Sequence, residues 1–166
     1  LCAHSAEGAM GLMVNRPSDD LRFTDLLTRL KILPDNSEAG FPQSAKDMIV
    51  LNGGPVESGR GFVLHADPSA ENYASVEIGG NIRLSASLDI LHAIAKGHGP
   101  QRAVFALGYT GWSAGQLETE IQNNGWLSCP ANSAIVFDHQ FTTKYQRALG
   151  LLGIDPAMLS REAGHA

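Results

Sequence analysis

A single α+β domain, with a mixed β-sheet flanked by helices, is the fold class that three observations predict. Of the 166 residues 43% are hydrophobic and 17% charged, the balance of a chain that closes around a core and not of a disordered tail, a coiled coil or a collagen-like repeat. The first half carries short apolar runs broken by glycine pairs, which signals hairpins. The second half alternates strand-like with helical runs. No internal repeat, low-complexity tract or linker divides the chain, so one domain is expected over residues 1–166.

The elements follow in order. Residues 9–15 are apolar and stop at Arg16-Pro17, a strand closed by a turn. Thr24 is a good helix N-cap, with Asp25 in the first turn where it suits the helix dipole; Leu26, Leu27 and Leu30 share a face and Pro34 stops the helix. The polar stretch 35–47, with Gly40 and Pro42, reads as a long loop. A strand at 48–51 breaks at Asn52-Gly53-Gly54-Pro55, and residues 61–66 are strand-like again. Residues 76–78 and 82–84 flank Gly79-Gly80-Asn81, a hairpin turn.

Beyond the hairpin, Ser87 caps a helix through Ala95, with Leu88, Leu91 and Ile94 facing the core and Gly97 as its stop. Residues 102–108 read as a strand. Ser113 and Gln116 fit an S-x-x-Q capping box, opening a helix with Leu117 and Ile121 as its buried stripe and Gly125 as its end. Residues 135–138 read as a short buried strand. Thr143 and Gln146 form a second capping box on a helix closed by Gly153, and Asp155-Pro156 starts a last short one.

Charge and motif chemistry narrow the function. Lys plus Arg is 12 and Asp plus Glu is 17, a net charge of −5, so the diffuse positive field that draws proteins to phosphate backbones is missing. The helix–Gly–helix outline at 143–160 carries only Arg161 near the end of its second helix, too little to read bases. Direct nucleic-acid binding is therefore not expected. Apolar runs fall far below the ~20 residues a bilayer requires, and no basic-then-apolar leader opens the chain. No membrane partner is expected, and a cytoplasmic location is. Cys2 and Cys129 stand far apart, outside any Cys-x-x-Cys pair, and read as reduced thiols. The six His residues, at 4, 65, 92, 98, 139 and 165, form no H-x-x-x-H or tight ligand cluster, so neither metal nor cofactor is expected. Leu1 is not an initiator Met and the chain opens on an apolar pair, Leu1-Cys2, as if inside a strand; a native amino-terminal segment is expected before it.

Gly111-Trp112-Ser113-Ala114-Gly115 is a literal G-x-S-x-G, which in some hydrolases exposes a nucleophilic Ser, and Asp138, His139, Asp155 and His165 lie downstream. Against that, Ser113 is already explained as an N-cap, and Tyr109 and Thr110 separate the pentapeptide from the strand's terminal Gly108. No catalytic residue is assigned on these grounds. The same helix start could take an anion, yet no Lys follows it and Glu118 and Glu120 supply competing charge. The glycine-rich turns at 52–55 and 108–115 both follow strands. Brought to one edge of the sheet, their free N–H groups could hold a small ligand or a partner's main chain. The candidate binding residues are Asn52, Gly53, Gly54, Gly108, Tyr109, Gly111, Trp112 and Ser113.

The run from Gly108 to Glu120, with 11–17, Asn52-Gly53-Gly54-Pro55-Val56, Gly61-Phe62-Val63-Leu64-His65 and Trp126-Leu127, resembles the YqgE/AlgH family of bacterial proteins over nearly the whole chain. That resemblance implies an α+β fold, the cytosol and, through the AlgH name, a role in transcriptional regulation of alginate synthesis. It brings no catalytic residue to carry over. Members start with a further strand and an Asp-Pro-x-Phe turn, which this sequence lacks. The expected function is a non-catalytic regulatory or binding module with an unidentified protein or small-molecule partner. A small hydrolase or transferase using Ser113, and a direct DNA-binding regulator, are the alternatives.

Overall fold

The structure, a computed structural model, describes residues 1–32, 40–66 and 73–158. Pro34 with its expected helix stop, the start of the expected loop, Arg161 and His165 lie outside them. In chain order the described residues form β1 (Ala3–Ser5), β2 (Gly8–Gly11), α1 (Phe23–Arg29), α2 (Gln43–Lys46), β3 (Val50–Asn52), β4 (Val56–His65), β5 (Val76–Gly79) and β6 (Ile82–Ser85). There follow α3 (Leu88–Ala95), β7 (Ala103–Ser113), α4 (Gln116–Gln122), α5 (Ser133–Val136) and α6 (Lys144–Leu151), with 3-10 turns at Phe141–Thr143 and Pro156–Met158.

One mixed sheet organises them, in the order β1-β2-β7-β4-β6-β5, with β3 also on β7. The β3–β7 pairing is parallel and the other pairings are antiparallel. The uncharged run at 103–107 makes β7 the central strand, because successive side chains of a strand point to opposite faces and both faces here are covered. Phe105 turns to one side, with Val50, Val63, Phe23 and Leu27 of α1 and Ile90 and Ile94 of α3. Val104 and Ala106 turn to the other, with Leu51, Leu64, Ile82 and Phe137. Phe23 and Phe105 pack with ring centroids 5.3 Å apart.

The hairpin at 79–81 forms as its sequence predicts: β5 and β6 pair, and Gly80 and Asn81 both take positive φ (62° and 58°), the left-handed pair a two-residue turn of this kind requires. Several expectations are corrected. Helix α1 begins at Phe23, two residues earlier than the Thr24 cap implied; Thr24 is buried inside it, while Asp25 accepts from the Arg22 amide. Leu88, assigned to the core, is 59% exposed, and Leu30, placed on one face with the buried Leu27, is 50% exposed. The expected loop at 35–47 contains α2, whose Ala45 is buried beside Phe41. The run at 135–138 belongs to a helical turn, not a strand, because Asn132 accepts hydrogen bonds from the amides of Ala134 and Ile135 (2.9 and 3.2 Å) and starts α5. The Thr143 hydroxyl donates to Gln140 O and does not cap α6.

Candidate functional site

The candidate residues meet where β7 passes the end of β3, but as something other than two open turns. Strand β7 does not stop at Gly108. It continues to Ser113 because β2 pairs with its second half, Met10 opposite Gly111 and Gly8 opposite Ser113. Gly108 takes φ +71° and Gly54 φ +157°. A Cβ on Gly108 would overlap Gly54 O, one on Gly54 would overlap the Tyr109 carbonyl, and one on Gly53 would overlap Gly108 O. These three glycines are buried and allow two backbones to touch. Both backbone polar groups of Gly53 are engaged: its amide donates to Leu107 O (2.7 Å) and its carbonyl accepts from the Met13 amide (2.8 Å). Where a cradle of free N–H groups was expected, Gly53, Gly54 and Gly108 pack backbone against backbone, and the Gly53 amide is not free.

The other candidates stand at the surface around that junction. Asn52 is exposed and its amide donates to Arg16 O. The Tyr109 hydroxyl donates to Glu57 Oε1 (3.3 Å), with its ring edge-on to Phe62. Gly111 is exposed, and a Cβ there would make only ordinary contact with the Tyr109 ring.

Trp112 leads to the most organised polar cluster of the described residues. Its indole Nε1 donates to Glu120 Oε2 (2.9 Å), and the Trp126 Nε1 donates to the same oxygen (2.6 Å). Gln116 Nε2 donates to the other oxygen, Oε1 (2.9 Å). The two indoles meet edge to face, centroids 5.7 Å apart and planes at 80°. Three N–H donors, the Trp126 indole foremost, then Gln116 and Trp112, hold the Glu120 carboxyl below its usual range. Two residues earlier on α4, Glu118 accepts from His4 Nε2 of β1 at 2.5 Å, which lowers its carboxyl as well. Trp126 and Leu127 remain 48% and 54% exposed, and Ile121, expected in the buried stripe, is 41% exposed while Leu117 is buried.

Ser113 fills only half of its expected role. Its amide donates to Gln116 Oε1 (3.0 Å), as in a capping box, but Gly115 with φ +74° is the residue that starts α4, and no side-chain cap forms. Nor, among the described residues, does the Ser113 hydroxyl meet a base. Register sets His4 opposite Ala9 and Ala9 opposite Trp112, so these three side chains share the face on which α4 lies. The pleat turns Ser113 to the opposite face, away from His4. Downstream, the Asp138 carboxyl is taken by the Gln140 amide and by Arg147, both at 2.5 Å, which together lower it.

Two features escaped the sequence. Lys144 is 2% exposed; its Nζ donates to Val136 O (2.6 Å) and lies 4.8 Å from the Phe141 ring centroid, and burial pulls its ammonium down to about 8. It closes the carbonyl end of α5 and ties α6 to it. An apolar cavity of about 400 Å³ between the sheet and α5–α6 is lined by Leu12, Leu64, Ile82 and both thiols, Cys2 and Cys129. Burial raises the Cys2 thiol, which disfavours the thiolate.

The fold and this surface define a small α+β domain whose mixed sheet is helix-covered on both faces and carries a paired-indole, carboxylate-pinned patch at one end. Among the described residues no group of three or more His, Cys, Asp or Glu is placed to hold a metal ion, and no helix is long and apolar enough to cross a membrane. The chain belongs to the AlgH-like family, whose model matches residues 1–157. UPF0301 proteins of Beijerinckia indica and Nitrobacter hamburgensis are 55% and 54% identical to it over all of this chain and over 81% and 77% of their own lengths. The solution structure of the AlgH protein from Pseudomonas aeruginosa is similar with a TM-score of 0.74 and 42% identity, covering 98% of this chain and 82% of that one. A crystal structure of a protein from Corynebacterium diphtheriae, at TM-score 0.59 and 16% identity over 81% of this chain and 66% of its own, shares the fold alone.

Proposed function

We propose that this protein is a non-catalytic regulatory module that acts by binding a protein partner, and that the partner docks on the surface formed by Trp112, Trp126 and Leu127. The observation that carries this reading is Trp126: about half of its surface is exposed while its polar edge is fixed to Glu120. Trp is among the residues most enriched at the hot spots of protein interfaces. An anchor already held in one orientation loses little side-chain entropy when a partner covers it. A regulatory role in transcription, where it exists, runs through that partner and not through direct reading of DNA. The second element of the helix–Gly–helix outline is a single 3-10 turn, Pro156–Met158, within the described residues.

The test compares baits in cells: the wild-type chain, Trp126→Ala, and Val76→Ala, which alters a residue 65% exposed on β5 at the far edge of the sheet. A partner recovered by wild type and by Val76→Ala, but reduced about tenfold or more by Trp126→Ala with circular dichroism unchanged, supports the reading. Equal recovery by all three baits overturns it.

A further inference from the structure

The chemistry of the patch selects one kind of anchor on the partner. Both indole N–H groups, the electropositive edges of their rings, are turned inward to Glu120 Oε2. With that edge held, what the half-exposed Trp126 leaves toward solvent is the rest of its ring, and the faces of an indole carry the negative side of the aromatic quadrupole. The segments that build the surface reinforce that sign. Residues 1–15 and 103–143 contain no Lys or Arg, while Glu7, Glu118 and Glu120 lie within them. His4 is hydrogen-bonded to Glu118.

We infer that the patch takes a cationic side chain of the partner, an arginine guanidinium stacked on the exposed face of Trp126 with Glu118 and Glu120 supplying the negative field. Guanidinium fits better than ammonium because it is planar, stacks on indole and is more weakly hydrated. This inference rests on the docking surface proposed above and adds the identity of its anchor.

The chain has two Trp residues, and both are in the patch, so their two indole N–H resonances report binding directly. The test titrates the full chain with N-acetylarginine methylamide and with its neutral isostere, N-acetylcitrulline methylamide. The expected result is a saturable shift of both indole signals, with the arginine probe binding about 2- to 30-fold more tightly than the citrulline one, the range a cation over an indole supplies. Trp126→Leu abolishes that preference, Trp126→Phe retains part of it because a ring face remains, and Val76→Ala leaves it unchanged. Equal binding of the two probes, or an arginine preference that survives Trp126→Leu, overturns the inference. Loss of partner capture in Trp126→Ala alongside equal binding of the two probes would leave the docking surface standing and remove only the cationic anchor.

Discussion

Replacing Gly108 with Ala tests the junction beneath the patch. At φ +71° an L residue sits in the left-handed region, which costs about 1–2 kcal/mol. The new methyl also overlaps Gly54 O, a backbone atom in the link between β3 and β4, both paired to β7, that cannot rotate away as a side chain would. Overpacking of this kind costs about 1–3 kcal/mol more, so the substitution should destabilise the fold by roughly 2–5 kcal/mol. Gly115→Ala separates the two contributions: its φ is +74°, but nothing lies within 4 Å of a Cβ there, and it should cost only the conformational part, about 1–2 kcal/mol. Urea unfolding of the full chain measures both. In thermal melts Gly108→Ala should lower Tm by roughly 5–15 °C, since each kcal/mol moves a domain of this size by about 2–4 °C. If the two variants lose the same stability, the close approach of the two backbones is not what requires glycine at 108.

Lys144 makes stability depend on pH. The unfolded chain keeps this proton to about 10.5 and the folded chain only to about 8, so between those values the unfolded state binds more protons and stability rises with pH. Denaturant midpoints should climb across that window in the wild type and lose this component in Lys144→Met. Asn132→Ala removes the acceptor for two amides of α5 and should cost about 1 kcal/mol in the same assay. Ser113→Ala should change stability by less than about 0.5 kcal/mol, because its hydroxyl does not serve as the cap; a loss near 1 kcal/mol would restore that role.

What was legible in the sequence was what local chemistry decides. Gly79-Gly80-Asn81 specifies a turn wherever it occurs, and the apolar runs around it need only pair with each other. Gly108 misled because a glycine in a strand pattern reads as a break. Here it is the residue that lets the strand pass Gly54, and the reason lies about fifty positions away in sequence. Residues 135–138 misled because a short apolar run is compatible with strand or helix alike, and the Asn132 side chain decided for helix. The same limit applied to the site. Trp112 and Ser113 were visible in their motif, whereas Glu120 read only as charge competing with an anion until the extension of β7 brought Trp112 over α4. Nothing local marked Lys144 as buried, since its solvation is set by α5 and Phe141.

The length of β7 has a consequence for motion. Residues 104–106 are locked between two cores while Trp112 rides the same strand, so the indole has a foundation that exchanges amide protons only when the whole domain opens. Its far flank is held by β2 and, beyond it, by the three-residue edge strand β1. Fraying should start there, at Ala3–Ser5, and release His4 from Glu118 before it disturbs the indole pair.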